Sequence, residues 1–391
     1  MRKTDKLYYE SAYMADFHAQ IIDTKSSNEE FHVALAATCF YPGGGGQPAD
    51  TGLLDGKPVT AVYQENGLIY HVIASEIDDA GEGVIGQIDW KRRYAFMQNH
   101  TGEHILSGLA KTHFGATNVG FHMSERGFTI DFDVMLSKED IDKLEQMANE
   151  VVTAFTQVHL FTMTGKDAEN IDFRSKKTFA DDETVRMVDV DGHDLCACAA
   201  LHVAEAREIG IIKVSGYQKY KGGVRLTAYC GTDALWDYAR KNDICRDAGA
   251  LLSADTVSII PALDKLIKDK AKLQKQIGFM QNKIFELKAE GVAKGSGFAY
   301  FIEDGVEVQD LRRFAGLTAE RARLAVALSE QGDSHKYSIC CDDETRLVNF
   351  VNEFNLALDG KGNVAGHMAS GAVKAGREKI VAYCEGKYEE N

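Results

Sequence analysis

"RYAFMQNHTGEHILSGLAKTHFG", residues 93–115, is the stretch whose reading decides the fold. Its apolar residues Phe96, Ile105, Leu106, Leu109 and Phe114 follow a helical period, and Gly115 closes it as glycine closes many helices. Such a helix sets His100 and His104 on one face, a turn apart. Upstream the pattern is different. "FHVALAATCFY", "KPVTAVYQEN", "GLIYHVIA" and "GVIGQIDW" read as short strands between glycine-marked turns, so residues 1–90 are expected to form a β-rich, barrel-like domain.

Downstream, "GFTIDFDV" alternates as a strand, and Ser137-Lys138-Glu139-Asp140 has the form of a capping box. The helix it opens should turn Ile141, Leu144, Ala148, Val151 and Phe155 inward. "TVRMVDV", "IGIIKVSG" and "GVRLTAYC" follow as strands without a βαβ rhythm. Residues 91–245 therefore read as an α+β domain with a largely antiparallel sheet. Ile259, Leu263, Leu266, Lys270, Leu273, Ile277, Met280, Ile284 and Leu287 then step by four and three, a heptad seam that makes residues 255–293 one long helix. Residues 297–391 read as a small α/β domain carrying a second glycine-rich tract, "DGKGNVAGHMASG".

At 391 residues, the chain has room for two or three domains, and 45% hydrophobic with 26% charged residues is an ordinary globular composition. The start lacks an apolar signal core and no run is apolar enough to span a bilayer. Eight scattered cysteines make no disulfide framework, so a cytoplasmic protein is expected. A net charge of −15 argues against DNA binding or indiscriminate coating of nucleic acid. It leaves room for local basic patches at Lys91-Arg92-Arg93, at Arg174 with Lys176 and Lys177, and from Lys213 to Arg225.

About ninety residues after the histidine pair, Cys198-Ala-Ala-Leu-His202 repeats its spacing with a thiol and an imidazole. Together the pairs offer three imidazoles and a thiolate, a set suited to Zn²⁺. Unrelated histidines and a core cysteine are the plain alternative. His100-x-x-Glu103-His104 also fits the inverzincin peptidase pattern, with the glutamate as base and a distant carboxylate as third ligand. Cys196 and His193 lie close to Cys198, but only Cys198 keeps the four-residue step to His202.

A third feature stands earlier. "ATCFYPGGGGQPADTG", residues 36–51, sets Gly43, Gly44, Gly45 and Gly46 in a row, which makes sense where something must approach the main chain. The competing reading is a flexible hairpin tip.

These motifs, with "EIGIIKVSG…KGGVRLTAYCG", resemble the editing half of alanyl-tRNA synthetase and its freestanding AlaX trans-editing relatives. The tail is similar to the DHH-associated C-terminal domain of the synthetase and of the long AlaX form. The resemblance implies a zinc-dependent hydrolase that deacylates Ser-tRNA(Ala), with Gly-tRNA(Ala) as a further candidate substrate, without ATP. With the β-rich domain at the start of the sequence, no aminoacylation domain is expected. His100, His104, Cys198 and His202 would hold the metal. Thr38 would sense the serine hydroxyl, Gln47 would bond the amino acid or ribose, and the glycines would cradle the ester. Phe40 is a candidate for stacking on a base, against the reading that it packs the strand with Tyr41. Glu103 is a candidate base, against the reading that it points to solvent.

One departure is plain: the synthetase has Cys-Gly-Gly-Thr-His where this chain has Cys-Ala-Ala-Leu-His. The alternatives to hydrolysis of mischarged tRNA are a non-catalytic tRNA-binding module and the zinc peptidase. The heptad seam needs a partner helix, so a homodimer through it or the C-terminal domain is expected. Eight lysines between Lys265 and Lys294 would let the same helix lie along tRNA.

Overall fold

The computed structural model describes residues 3–27, 30–77, 81–174, 178–332 and 334–389; Lys176 and Lys177 of one basic patch fall outside them. The chain divides into two compact units, Met1–Asp247 and Ala248–Asn391. No described helix is long and apolar enough to cross a membrane.

In the first unit, β1 (Asp16–Ala19), β2 (Ile21–Ser27), β3 (Glu30–Leu35), β4 (Gly52–Leu54), β5 (Lys57–Glu65), β6 (Leu68–Ile73) and β7 (Val84–Ile88) build one antiparallel sheet. Its order is β1-β7-β4-β5-β6-β3-β2, and among the described residues the end strands are not paired with each other, so the expected barrel is not seen closed. Closure is not needed to bury its apolar face. Leu35, Leu54, Ile69 and Ile73 of the sheet share one core with Phe96, Met97 and Ile105 of the helix that follows. That core runs on to Cys230, so residues 1–90 and 91–245 share a core rather than each owning one.

The helix α1 (Trp90–Phe114) is the expected one. Asp89 caps its first turn by accepting from the Arg92 amide, and Gly115 ends it in the left-handed conformation at φ 63°. A four-stranded antiparallel sheet, β8 (Asn118–Met123), β9 (Phe128–Phe132), β13 (Ile212–Tyr220) and β14 (Gly223–Cys230), has the order β8-β9-β14-β13. The capping box at Ser137 and Asp140 is formed and opens α2 (Lys138–Thr153). Phe155 is not inward: the helix ends at Thr153, and Phe155 turns out at φ 61°, under the Arg207 guanidinium. A smaller sheet joins β10 (Val158–Thr164), β11 (Thr184–Val190) and β12 (Asp194–Ala197) in that order.

The expected basic patches largely dissolve. Arg93 is fully buried against Asp50, Arg92 pairs with Glu125, Arg174 with Asp194 and Glu103, and Arg225 with Asp131. A run of basic letters says nothing of the carboxylates that the fold sets beside them.

In the second unit, the heptad stretch forms α4 (Ile259–Glu290), after α3 (Gly231–Leu252), whose last residues begin this unit. Phe285 stacks on Phe314 of α5 (Val308–Ala319), ring centroids 4.4 Å apart. The seam itself is bare: Leu266, Leu273, Ile277, Met280, Ile284 and Leu287 are 48–67% exposed. Residues 297–391, expected as a small α/β domain, hold a mostly antiparallel five-stranded sheet, Ala299–Asp304, Leu324–Gln331, Ser334–Cys341, Met368–Val373 and Gly360–Ala365 in spatial order. Only the first pair is parallel, which puts α5 in its crossover.

Candidate metal centre

His100 and His104 project from one face of α1, ring centroids 5.5 Å apart, and His202 lies 4.8 and 4.6 Å from them. Cys198 Sγ stands 3.6 Å from His100 Nε2. One ligand atom from each of these four residues lies within 4.8 Å of every other, close enough for all to meet on one metal ion. The Cys198–His202 pair is not helical: the chain leaves β12 at Ala197 and runs irregularly through His202. The four-residue step picked residues that converge, by a loop rather than a helical turn.

Each imidazole has a polar oxygen beside its Nδ1, where metal-binding histidines keep their second partner. His104 Nδ1 is 2.8 Å from Asp194 Oδ2. His202 Nδ1 donates to Thr101 Oγ1 at 3.2 Å, because that hydroxyl spends its own proton on the Met97 carbonyl. His100 Nδ1 reaches Gln47 Oε1 at 3.4 Å. His202 Nε2 is buried with no hydrogen-bond partner among the described residues, which is what a ligand awaiting a metal looks like. The donor set fits a divalent soft or borderline ion.

The electrostatics separate the two neighbouring cysteines. Burial pushes the Cys198 thiol up, but the imidazoles, His100 foremost, outweigh it and hold the thiol well below its ordinary value. Burial pushes Cys196 up, and Arg174 only partly offsets this. Burial also opposes a charge on His104, yet Asp194 and Cys198 outweigh it and raise its pKa. Cys196 forms a second cluster with His104 and Asp194, but there His104 shows its Nδ1 side. His193 belongs to neither cluster.

Sequence reasoning missed Asp194 and Arg174. Arg174 Nε and Nη2 grip both Asp194 oxygens at 3.1 and 2.8 Å, and its Nη1 reaches Glu103 Oε1 at 3.3 Å. Glu103 does not point to solvent. It is buried, Oε1 also accepts from Ser107 and Asn118 at 2.6 Å, and despite burial Arg174 and the imidazoles lower its pKa. No spacing rule announces such a network, since Arg174 and Asp194 are held together by the pairing of residues 174 and 196.

The glycine loop comes to the cluster as expected. Gly44 and Gln47 exchange backbone hydrogen bonds of 3.0 Å. A Cβ on Gly45 would sit 3.9 Å from Cys198 Sγ, and one on Gly46 would strike the Phe121 ring at 2.5 Å, both at positive φ. Gln47 bridges the two ligand pairs: its Oε1 also accepts from the Leu201 amide at 3.2 Å, while its Nε2 has no hydrogen-bond partner among the described residues. Gly45, Gly46, Phe121, Glu103 and Arg174 line a cavity of about 820 Å³ together with His100, His104 and Cys198.

Thr38 and Phe40 do not line that cavity. Phe40 is fully buried against Phe17 and His71, in the core. His71 Nδ1 faces the Val33 carbonyl at 2.9 Å, so Nε2 is the acceptor for the Thr38 hydroxyl at 2.8 Å, and the Phe40 amide donates to Thr38 Oγ1 at 3.1 Å. Thr38→Val leaves two buried groups unpaired, an expected loss of about 1–3 kcal/mol in urea denaturation. Hydrolysis of serine and glycine esters should fall alike; a loss confined to the serine ester would show the hydroxyl reading substrate.

Residues 1–92 match the family model described as "tRNA synthetases class II (A)". The chain is 28% identical to the "Alanyl-tRNA editing protein AlaX-L" of Pyrococcus horikoshii, covering 96% of each. It is 30% identical to "Alanyl-tRNA editing protein Aarsd1-B" of Xenopus laevis, over 64% of this chain and 61% of that one. An alanine–tRNA ligase of Ignicoccus hospitalis is also 30% identical, over 91% of this chain but 43% of its own length. The chain thus runs along nearly all of an AlaX-L protein and under half of a ligase, and along its length it is similar to the AlaX alanyl-tRNA editing proteins.

Proposed function

We propose that this protein is a zinc-dependent deacylase acting in trans, without ATP, in the cytoplasm, on tRNA(Ala) charged with serine and, secondarily, glycine. The observation that carries the reading is the cluster of three imidazoles and a thiol, each imidazole with a polar oxygen beside its Nδ1, opening on a cavity beneath a glycine loop. The names of the AlaX-L and Aarsd1-B relatives point the same way.

His100, His104, Cys198 and His202 would hold Zn²⁺, which when bound supplies Lewis-acid polarisation and orientation of an ester. The chain's own groups do the rest. Among the described residues the Gly45 and Gly46 amides have no backbone partner, and both line the cavity, so they are free to donate to a developing oxyanion. Glu103, held ionised by Arg174, suits accepting a hydrogen bond from the attacking water more than storing its proton. Gln47 keeps the loop and both ligand pairs in register. Such an enzyme is needed because a pocket shaped for alanine rejects an added hydroxyl only about 10²-fold.

Purified protein incubated with Ser-, Gly- and Ala-charged tRNA(Ala) should strip the first two and spare the third. Tight tRNA binding with the serine ester intact would make this a binding module instead. The bare seam of α4 is proposed to pair with a second copy, with Lys270 reaching water from the seam. Sedimentation should give a dimer at micromolar concentration, and a monomer there would refute it.

A further inference from the structure

Tyr9 stands at the rim of the metal cavity, 40% exposed, its hydroxyl donating to the Ala199 carbonyl at 2.8 Å. Two cations lie over its ring: the Arg186 guanidinium carbon at 5.0 Å from the ring centre and Lys6 Nζ at 5.8 Å. Arg186 Nη1 donates to the carbonyls of Cys198 and Ala200 at 2.9 and 2.6 Å, and Lys6 donates to Gln64 Oε1 at 3.2 Å. Among the described residues neither cation has a carboxylate partner.

Among the described residues of this unit, Arg92, Arg93, Arg126, Arg174, Arg207, Arg225, Arg240 and Arg246 are each paired with an acid, which sets Arg186 apart from the other arginines. The chain carries a net charge of −15, so acids are abundant, yet none answers these two. Burial lowers the pKa of Lys6, a charge held partly out of water with no acid beside it. A partly buried cation without a counter-charge is costly in the free protein and stabilised when an anion arrives. An aromatic ring flanked by basic side chains is also how proteins hold single-stranded nucleic acid: a base packs on the flat surface and the cations take phosphates.

We propose that Lys6, Tyr9 and Arg186 form the subsite that grips the unpaired 3′ end of the tRNA acceptor strand. The ring, with the guanidinium on it, takes a base, and the two cations take phosphates next to the esterified nucleotide. This rests on the deacylase reading of the adjoining cavity. Arg186 spans both, since it holds the carbonyl of Cys198 and faces the strand.

The test uses the full-length, zinc-loaded protein and uncharged acceptor-stem hairpins, one with a four-nucleotide 3′ overhang and one blunt. Affinity is read by fluorescence anisotropy over a range of KCl. The overhang should be preferred. Tyr9→Ala should weaken overhang binding roughly tenfold, the scale of a lost stacking ring. Tyr9→Phe, which loses the Ala199 hydrogen bond but keeps the ring, should bind as wild type. Lys6→Gln and Arg186→Gln should each flatten the log–log salt dependence by about 0.7, the slope of one single-strand phosphate contact. Lys6 bonds no residue of the metal-bearing loop, so Lys6→Gln stays informative even if Arg186→Gln disturbs that loop. Equal losses in Tyr9→Phe and Tyr9→Ala would reduce the tyrosine to a brace and overturn the proposal. So would variants that weaken blunt and overhang hairpins in step, or change nothing. If wild type cleaves no ester while the overhang preference and its loss hold, the deacylase reading falls and the subsite stands.

Discussion

Cys198→Ala is expected to lower zinc affinity roughly 100-fold or more and to abolish most ester hydrolysis, while Cys196→Ala retains zinc. Loss of an outer partner of a metal ligand typically costs about 10–100-fold, and loss of the one thiolate should exceed that. The two thiols sit two residues apart and both border the cavity, so proximity does not separate them. Charge does. The imidazoles favour a thiolate at Cys198, whereas burial keeps Cys196 protonated. A thiolate is the form that binds metal. Competition against a chromogenic chelator measures the affinity directly. The reverse pattern, with zinc lost from Cys196→Ala alone, would move the metal to the cluster of His104, Asp194 and Cys196.

Arg93→Met is expected to cost about 3–5 kcal/mol of stability, because it leaves the Asp50 carboxylate buried without its counter-charge. Arg93 is fully buried: its Nε donates to both Asp50 oxygens at 3.0 Å, Nη1 to the Ala12 carbonyl at 3.0 Å and Nη2 to the Cys39 carbonyl at 2.6 Å. Cys39 and Asp50 flank the glycine run, and Asp50 Oδ2 also accepts from the Tyr41 amide at 2.6 Å. Arg93 thus ties both ends of the loop to α1, about two turns before His100. Urea denaturation should show the large loss in Arg93→Met and a smaller one in the double variant with Asp50→Leu, where no charge is stranded. A single variant within about 1 kcal/mol of wild type would mean that water reaches Asp50.

The loop and the metal helix were both legible as motifs, but their connection was not. Arg93 reads in the sequence as one letter of an exposed basic run, Lys91-Arg92-Arg93, and Asp50 as an ordinary acid after a turn. Phe40 and Thr38 stand beside the glycines in sequence and so attract a substrate role. Their contacts with His71, and the packing of Phe40 on Phe17, put them in the core instead.

The sequence by itself determined the elements whose physics is local: α1 with His100 and His104 one turn apart, the Ser137–Asp140 cap, the Gly115 stop and the long α4. Periodicity and capping act within a few residues, so they can be read along the chain. Only the tertiary structure decided which charges are answered. Arg174 is spent on Asp194 and Glu103, Arg93 on Asp50, and Arg186 and Lys6 on no carboxylate among the described residues. The partners of the paired arginines lie 20 to 71 residues away in the chain. Whether a buried charge meets its opposite depends on sheet pairing and core packing, which no spacing in the sequence encodes.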